Sequence, residues 1–100
     1  MKCSSLEEVR ENIDRIDDNI IQLISERTEY VRQAAAFKKS ESDVRAADRV
    51  EAVIAKVREK SQKYGASPDI AETVYRNMIN GFINMEMTEY KNKIPKERLL

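Results

Sequence analysis

The chain has 100 residues, which makes one small domain, taken here as residues 1–100. Apolar residues make up 41% and charged residues 36%, with 2 Gly, 2 Pro and 6% aromatics, so long helices with short connections are expected and a turn-rich β-sandwich or barrel is excluded. Lys+Arg and Asp+Glu are 18 each, which leaves no basic excess for a general nucleic-acid binder, and with no His and one Cys, disulfide scaffolds, zinc centres and His-based acid–base catalysis drop out.

Ser4-Ser5-Leu6-Glu7-Glu8 reads as a helix start, with a Ser cap and acids in the first turn. No Gly or Pro follows until Gly65. Leu6, Val9, Ile13, Ile16, Ile20, Leu23, Arg27, Tyr30, Ala34 and Phe37 recur at alternating spacings of three and four, a packing seam that predicts one helix over residues 5–38. Glu11, Asp14, Asp17, Asp18 and Glu26 fall between seam positions and read as a solvated face. Residues 38–45 are polar, lose the pattern and read as a mobile loop. A second helix is expected over residues 46–64, with a stripe of Ala46, Val50, Val53, Val57 and Tyr64 and with Ile54 beside it. Gly65 is a C-terminal stop, and Ser67-Pro68-Asp69 supplies a cap, a Pro at the first helical position and an acid for the dipole of a third helix over residues 68–91. Residues 92–100 contain Pro95 and read as a frayed tail. No apolar run approaches the roughly 18 residues of a membrane span, and the N-terminus lacks a charged-then-apolar leader pattern, so a cytoplasmic protein with no membrane partner is expected.

A helix over residues 5–38 is roughly 50 Å long, against a radius of gyration of about 13 Å for a compact domain of this size. Two shorter helices of the same chain cannot wrap such a rod, and half its seam would face water. Antiparallel pairing of two copies in a symmetric dimer would bury it.

Several polar residues fall on apolar stripes. Arg27 occupies a seam position, where it is either a snorkelling or ion-paired side chain or an anion ligand. Arg27, Val31, Ala34 and Lys38 share one helix face, which resembles a pocket lining more than a solvated face. Arg49 flanks the second-helix stripe and by itself reads as an ordinary boundary Arg before a pocket residue. Tyr75, Ile79, Phe82, Glu86 and Tyr90 share a face of the third helix, so Glu86 either reaches solvent or pairs with a cation. Met78, Met85 and Met87 read as core filler. Arg10 lies 17 residues before Arg27 and hence about 25 Å from it along one helix. It is either an exposed Arg or a contributor to a pocket on a second chain. The sum is a cationic pocket with one carboxyl, no nucleophile–base pair, no metal ligands and no Gly-rich phosphate loop. It suits a small dicarboxylate, and a reaction that needs only orientation and charge stabilisation.

The run Leu6-Glu-Glu-Val-Arg-Glu-Asn-Ile-Asp-Arg-Ile-Asp-Asp, continuing through Arg27 and Phe37-Lys38, resembles the all-helical (AroQ-type) chorismate mutases over about residues 5–91. The spacing Arg10–Arg27–Lys38 and then Arg49 carries the match, and the third helix matches more loosely. The resemblance implies an all-α fold of three helices per chain in an intertwined homodimeric bundle with two shared active sites and no cofactor. It implies a Claisen rearrangement of chorismate to prephenate in the shikimate branch toward phenylalanine and tyrosine. Isochorismate-pyruvate lyases of salicylate synthesis share the fold and the site. Carried over residue by residue, Arg27 and Arg10 of the partner subunit would grip the two substrate carboxylates. Lys38 would hold a carboxylate and the ether oxygen, and Arg49 would stabilise charge near the enolpyruvyl group. Glu86 would stand where many members have Gln, and Val31, Val50 and Phe82 would line the site. The sequence departs from well-studied bacterial mutases at Ala46 and Val50, which are apolar where those enzymes carry acids for the ring hydroxyl. That pattern, with the run Tyr30-Val31…Ala35-Ala36-Phe37-Lys38, leans toward the lyase branch. The order of expectation is mutase, then lyase, then a non-catalytic helical dimerisation module.

Overall fold

The computed structural model describes residues 2–93, all of whose regular structure is helical. The elements run α1 (Leu6–Ala35), α2 (Glu41–Arg45), α3 (Ala47–Tyr64) and α4 (Pro68–Lys93). Two compact units are distinguished, one up to Val31 and one from Arg32 onward. No helix among the described residues is long and apolar enough to cross a membrane. The tail expected over residues 92–100 is helical at its first two positions, and its remainder lies outside the described residues.

In the first unit, α1 starts on a double-serine cap. The Glu8 N–H donates to Ser5 Oγ at 3.1 Å, while the Glu8 carboxylate accepts from the Ser4 N–H at 3.1 Å and the Ser4 hydroxyl at 2.7 Å. Those two hydrogen bonds, the hydroxyl's first, hold the Glu8 carboxyl below the ordinary carboxylate range. The seam residues stand out along the helix: Leu6, Ile13, Ile16, Ile20 and Leu23 are all exposed.

In the second unit, the chain leaves α1 through tightened turns. The N–H groups of Ala36, Phe37 and Lys38 donate to the carbonyls three residues back, so the α-helix ends at Ala35 rather than at residue 38. The following stretch is not the loop that its polarity suggests. Ser40 caps the five-residue helix α2, accepting from the Asp43 N–H at 3.0 Å, and the Asp43 carboxylate accepts from the Lys39 N–H at 3.0 Å. This is the same reciprocal arrangement as at the start of α1. Val44, the one apolar residue of this turn, is 2% exposed, and α2 rests on α4. Ala46 joins α2 to α3 in the left-handed conformation, at φ +41°, an uncommon position for a residue with a Cβ.

Helices α3 and α4 form an antiparallel hairpin. Gly65, at φ +74°, closes α3 in a Schellman turn: its N–H reaches the Gln62 carbonyl, and the Ala66 N–H reaches that of Ser61 at 2.8 Å. Ser67 then caps α4 by accepting from the Ile70 N–H. The buried face of α3 runs Val50, Ile54, Val57, Ser61 at spacings of four, three and four. It keeps Val50 and Val57 of the expected stripe and centres on Ile54, 3% exposed, but leaves out Tyr64, which is 76% exposed. Ser61 disguised this face, because its hydroxyl is accommodated by donating to the Val57 carbonyl at 2.7 Å. On α4, Ile79 and Glu86 are buried, and Tyr75, Phe82 and Tyr90 are half-buried on the same face.

A chain of ion pairs staples the hairpin. Arg76 forks onto Glu51 at 3.0 and 3.1 Å and bonds Glu72 at 2.7 Å, while Arg58 bridges Glu72 at 2.9 Å and Asp69 at 3.1 Å. Hydrogen bonds from Arg76, ahead of its charge, hold the carboxyls of Glu51 and Glu72 below their ordinary value of 4.5. A carboxyl lowered in the folded state stabilises the fold above its unfolded pKa, and that stability is lost as pH falls through the folded pKa. Thermal melts should therefore give a Tm that is level near neutrality and declines below about pH 4.5. The effect should be modest, because these side chains remain open to solvent. Arg76→Met should lower the neutral Tm and flatten the acid limb; an acid limb of unaltered slope would assign the pH dependence to other groups.

Candidate functional site

The cationic residues singled out in the sequence fall into both units. In the first, Arg10 and Arg27 both lie on α1, with Arg10 exposed and Arg27 half-buried beside the half-buried Val31. Seventeen residues of helix place them about 25 Å apart. One copy of α1 therefore cannot bring these two guanidiniums onto one small molecule.

In the second unit, the end of α4 meets the segment leading into α2. The Arg32 Nε lies 3.3 Å from Glu89 Oε1, the Tyr90 hydroxyl donates to the Lys39 carbonyl at 3.2 Å, and the Lys91 ammonium lies 3.8 Å from Glu41. Lys38 sits in this corner, half-buried, with its ammonium donating to the Asp43 carbonyl at 3.1 Å. The long flexible side chain is thus turned back over the α2 turn. Glu86 lies one helical turn before Tyr90 and is 8% exposed, with its Oε2 fully covered. Of the two positions open to it from sequence, the structure excludes the one in solvent. Phe82, one turn earlier on the same face, is half-buried. Arg49 is exposed in the first turn of α3, and the neighbouring Val50 is half-buried, its N–H bonded to the Ala46 carbonyl at 3.0 Å.

A shallow cavity of about 190 Å³ lies among Arg32, Ala35, Ala36, Glu89 and Tyr90, and an open one of about 430 Å³ runs along α1 at Asn19, Gln22, Leu23 and Glu26. Neither is lined by Arg10, Arg27, Lys38, Arg49 or Glu86. No cluster of His, Cys, Asp and Glu among the described residues could hold a metal ion. Sequence reasoning missed the corner built by Arg32, Lys39, Asp43, Glu89 and Tyr90. The capping signature Ser40-x-x-Asp43 was the signal available for part of it; the contacts to Glu89 and Tyr90 span some fifty residues of chain and had none.

The candidate residues supply cations in both units and one enclosed carboxyl. Groups of these types suit an anionic substrate and charge that develops on an oxygen. It offers no thiol, imidazole or hydroxyl–base pair for covalent chemistry.

The family described as chorismate mutase type II matches residues 9–87. The chain is also 33% identical over 81 residues to an isochorismate pyruvate lyase of Pseudomonas aeruginosa, covering 81% of this chain and 80% of that one.

Proposed function

This chain belongs to the chorismate mutase type II family, and on that premise we propose that it is a cofactor-free chorismate mutase that works as an intertwined homodimer. The reaction is the rearrangement of chorismate to prephenate, placed in the branch toward phenylalanine and tyrosine. The observation that carries this reading is the family match over residues 9–87, which contains Arg10, Arg27, Lys38, Arg49 and Glu86 together.

Arg27 and Arg10 of the partner subunit grip the two carboxylates of the substrate, a task that suits planar guanidinium forks. Lys38 holds a carboxylate and donates to the ether oxygen, and Arg49 offsets charge near the enolpyruvyl group. Val31, Val50 and Phe82 line the site and exclude water. The C–O bond breaks ahead of C–C bond formation, so negative charge grows on the ether oxygen. Donors fixed at that oxygen stabilise the transition state more than the ground state. Holding the substrate in a compact, chair-like form lowers the remaining barrier. A second copy of the chain covers the apolar seam that α1 leaves exposed.

The lyase is the second reading, and two observations favour it: the name of the relative from Pseudomonas aeruginosa, and the apolar Ala46 and Val50. Supplying chorismate and isochorismate separately divides the readings. Prephenate from the first supports the mutase, and salicylate with pyruvate from the second supports the lyase. Neither product, together with no binding of a bicyclic transition-state mimic, would overturn both and leave the non-catalytic dimerisation module.

Glu86 gives a sharper test. As a carboxylate it would repel the growing negative charge, so it can donate only when protonated. Activity is expected to rise as pH falls, by at most about tenfold per pH unit. Glu86→Gln keeps a donor at every pH, and should raise neutral activity and level the profile. A wild-type profile already level from acid to neutral would remove Glu86 from this role.

A further inference from the structure

We infer that Asp43 and Tyr90 are positioning residues that hold the Lys38 ammonium by clasping its strap, residues 38–45, from two sides. The inference rests on the reading of Lys38 as a substrate ligand.

The ammonium of Lys38 donates to a backbone group, the Asp43 carbonyl, at 3.1 Å. A backbone carbonyl has no side chain to aim it; it points wherever the turn that carries it is held. Two side-chain bonds set that turn. The Ser40 hydroxyl accepts from the Asp43 N–H at 3.0 Å, and the Asp43 carboxylate accepts from the Lys39 N–H at 3.0 Å. Asp43 therefore ties the residue after Lys38 to the residue whose carbonyl receives the Lys38 ammonium. From the other side, the Tyr90 hydroxyl donates to the Lys39 carbonyl at 3.2 Å. Both polar groups of the Lys39 backbone unit are thus held, the N–H by Asp43 and the C=O by Tyr90, immediately next to Lys38.

The strap is a short element: a single turn of helix with one buried apolar side chain, Val44, tied to α4 also through Lys91 and Glu41 at 3.8 Å, and it leads into α3 through Ala46 in the left-handed conformation. A helix of five residues has almost no stability of its own. Lys, with four rotatable bonds, transmits any looseness of the strap to its ammonium. Tyr90 also links the strap to α4, the helix that carries Glu86, so one hydroxyl ties together the two elements that hold the proposed donors to the ether oxygen.

The test uses the full-length protein and whichever substrate the wild type converts. Tyr90→Phe deletes one hydroxyl, and Asp43→Ala deletes one carboxylate. Each should lower kcat by about fivefold, the equivalent of one ordinary hydrogen bond, with KM moving less than kcat. Asp43→Asn, which retains an acceptor for the Lys39 N–H, should recover most of the loss. The two losses should be less than multiplicative in Tyr90→Phe/Asp43→Ala, since both act on one strap. Amide hydrogen exchange should quicken at Asp43, Val44 and Ala46 in both single variants while α3 and α4 stay as protected as in the wild type. Wild-type kcat in both variants, or a kcat loss accompanied by faster exchange throughout α3 and α4, would overturn the assignment. A wild type that yields neither prephenate nor salicylate fails differently. It removes the reading of Lys38 as a ligand, and with it any catalytic meaning of the clasp.

Discussion

Arg27→Ala should lower kcat/KM by two to four orders of magnitude, and Arg10→Ala should do nearly the same. On the proposed reading each removes one member of a desolvated guanidinium–carboxylate pair, a loss of about 3–5 kcal/mol. Neither residue is buried in one chain, so neither truncation should disturb the folding of α1. The decisive measurement follows from the roughly 25 Å that separate the two side chains along α1. If each site draws Arg27 from one chain and Arg10 from the other, two inactive variants complement each other. Unfolding and refolding an equimolar mixture gives heterodimers as half the population, and each has one site with both arginines and one with neither. About a quarter of wild-type activity should return. No recovery, with heterodimers shown to form, would mean that the sites are not shared.

The double variant Ile13→Asp/Ile20→Asp should abolish the dimer at micromolar concentration and take most of the helicity with it. A single chain buries few large apolar side chains: Ala35, Val44, Ile54 and Ile79 are its buried apolar residues among those described. Meanwhile Ile13 and Ile20 are 50% and 46% exposed. Covering the exposed half of an Ile contributes on the order of 1 kcal/mol. An Asp in its place must either be desolvated, which costs several kcal/mol, or keep the second helix away. The symmetry of a dimer doubles each term. Asp18→Asn, on the polar face of the same helix, should leave assembly intact. Sedimentation gives the mass and far-ultraviolet circular dichroism the helicity. A double variant that remains a folded dimer would show that α1 pairs through another face.

The helices were legible where their signals are local. Three-and-four spacing marked α1, Gly65 marked the end of α3, and Ser67-Pro68 marked the start of α4, each by chemistry confined to one or two turns. Two errors share a cause. The strap after Lys38 reads as a loop because a single apolar residue, Val44, cannot establish a period; the helix exists because Ser40 and Asp43 cap it and α4 lies beneath it. The face of α3 keeps Val50 and Val57 of the expected stripe and the neighbouring Ile54, but ends on Ser61, buried and bonded to its own helix, where apolarity points to the exposed Tyr64. In both cases a polar side chain bonded to nearby backbone decides the outcome, as an exposed cap in the strap and as a buried hydroxyl in α3, and hydropathy alone registers neither.

Helix content, the seam of α1, the family and the set of candidate cations all follow from residue order, since periodicity, capping and charge are carried by neighbours along the chain. Enclosure is a different kind of property. That Glu86 lies inside, that Tyr90 reaches the backbone next to Lys38, and that Arg76 joins Glu51 to Glu72 depend on which distant segments come to rest against one another. Solvent is excluded by neighbours in space, and those are set by packing.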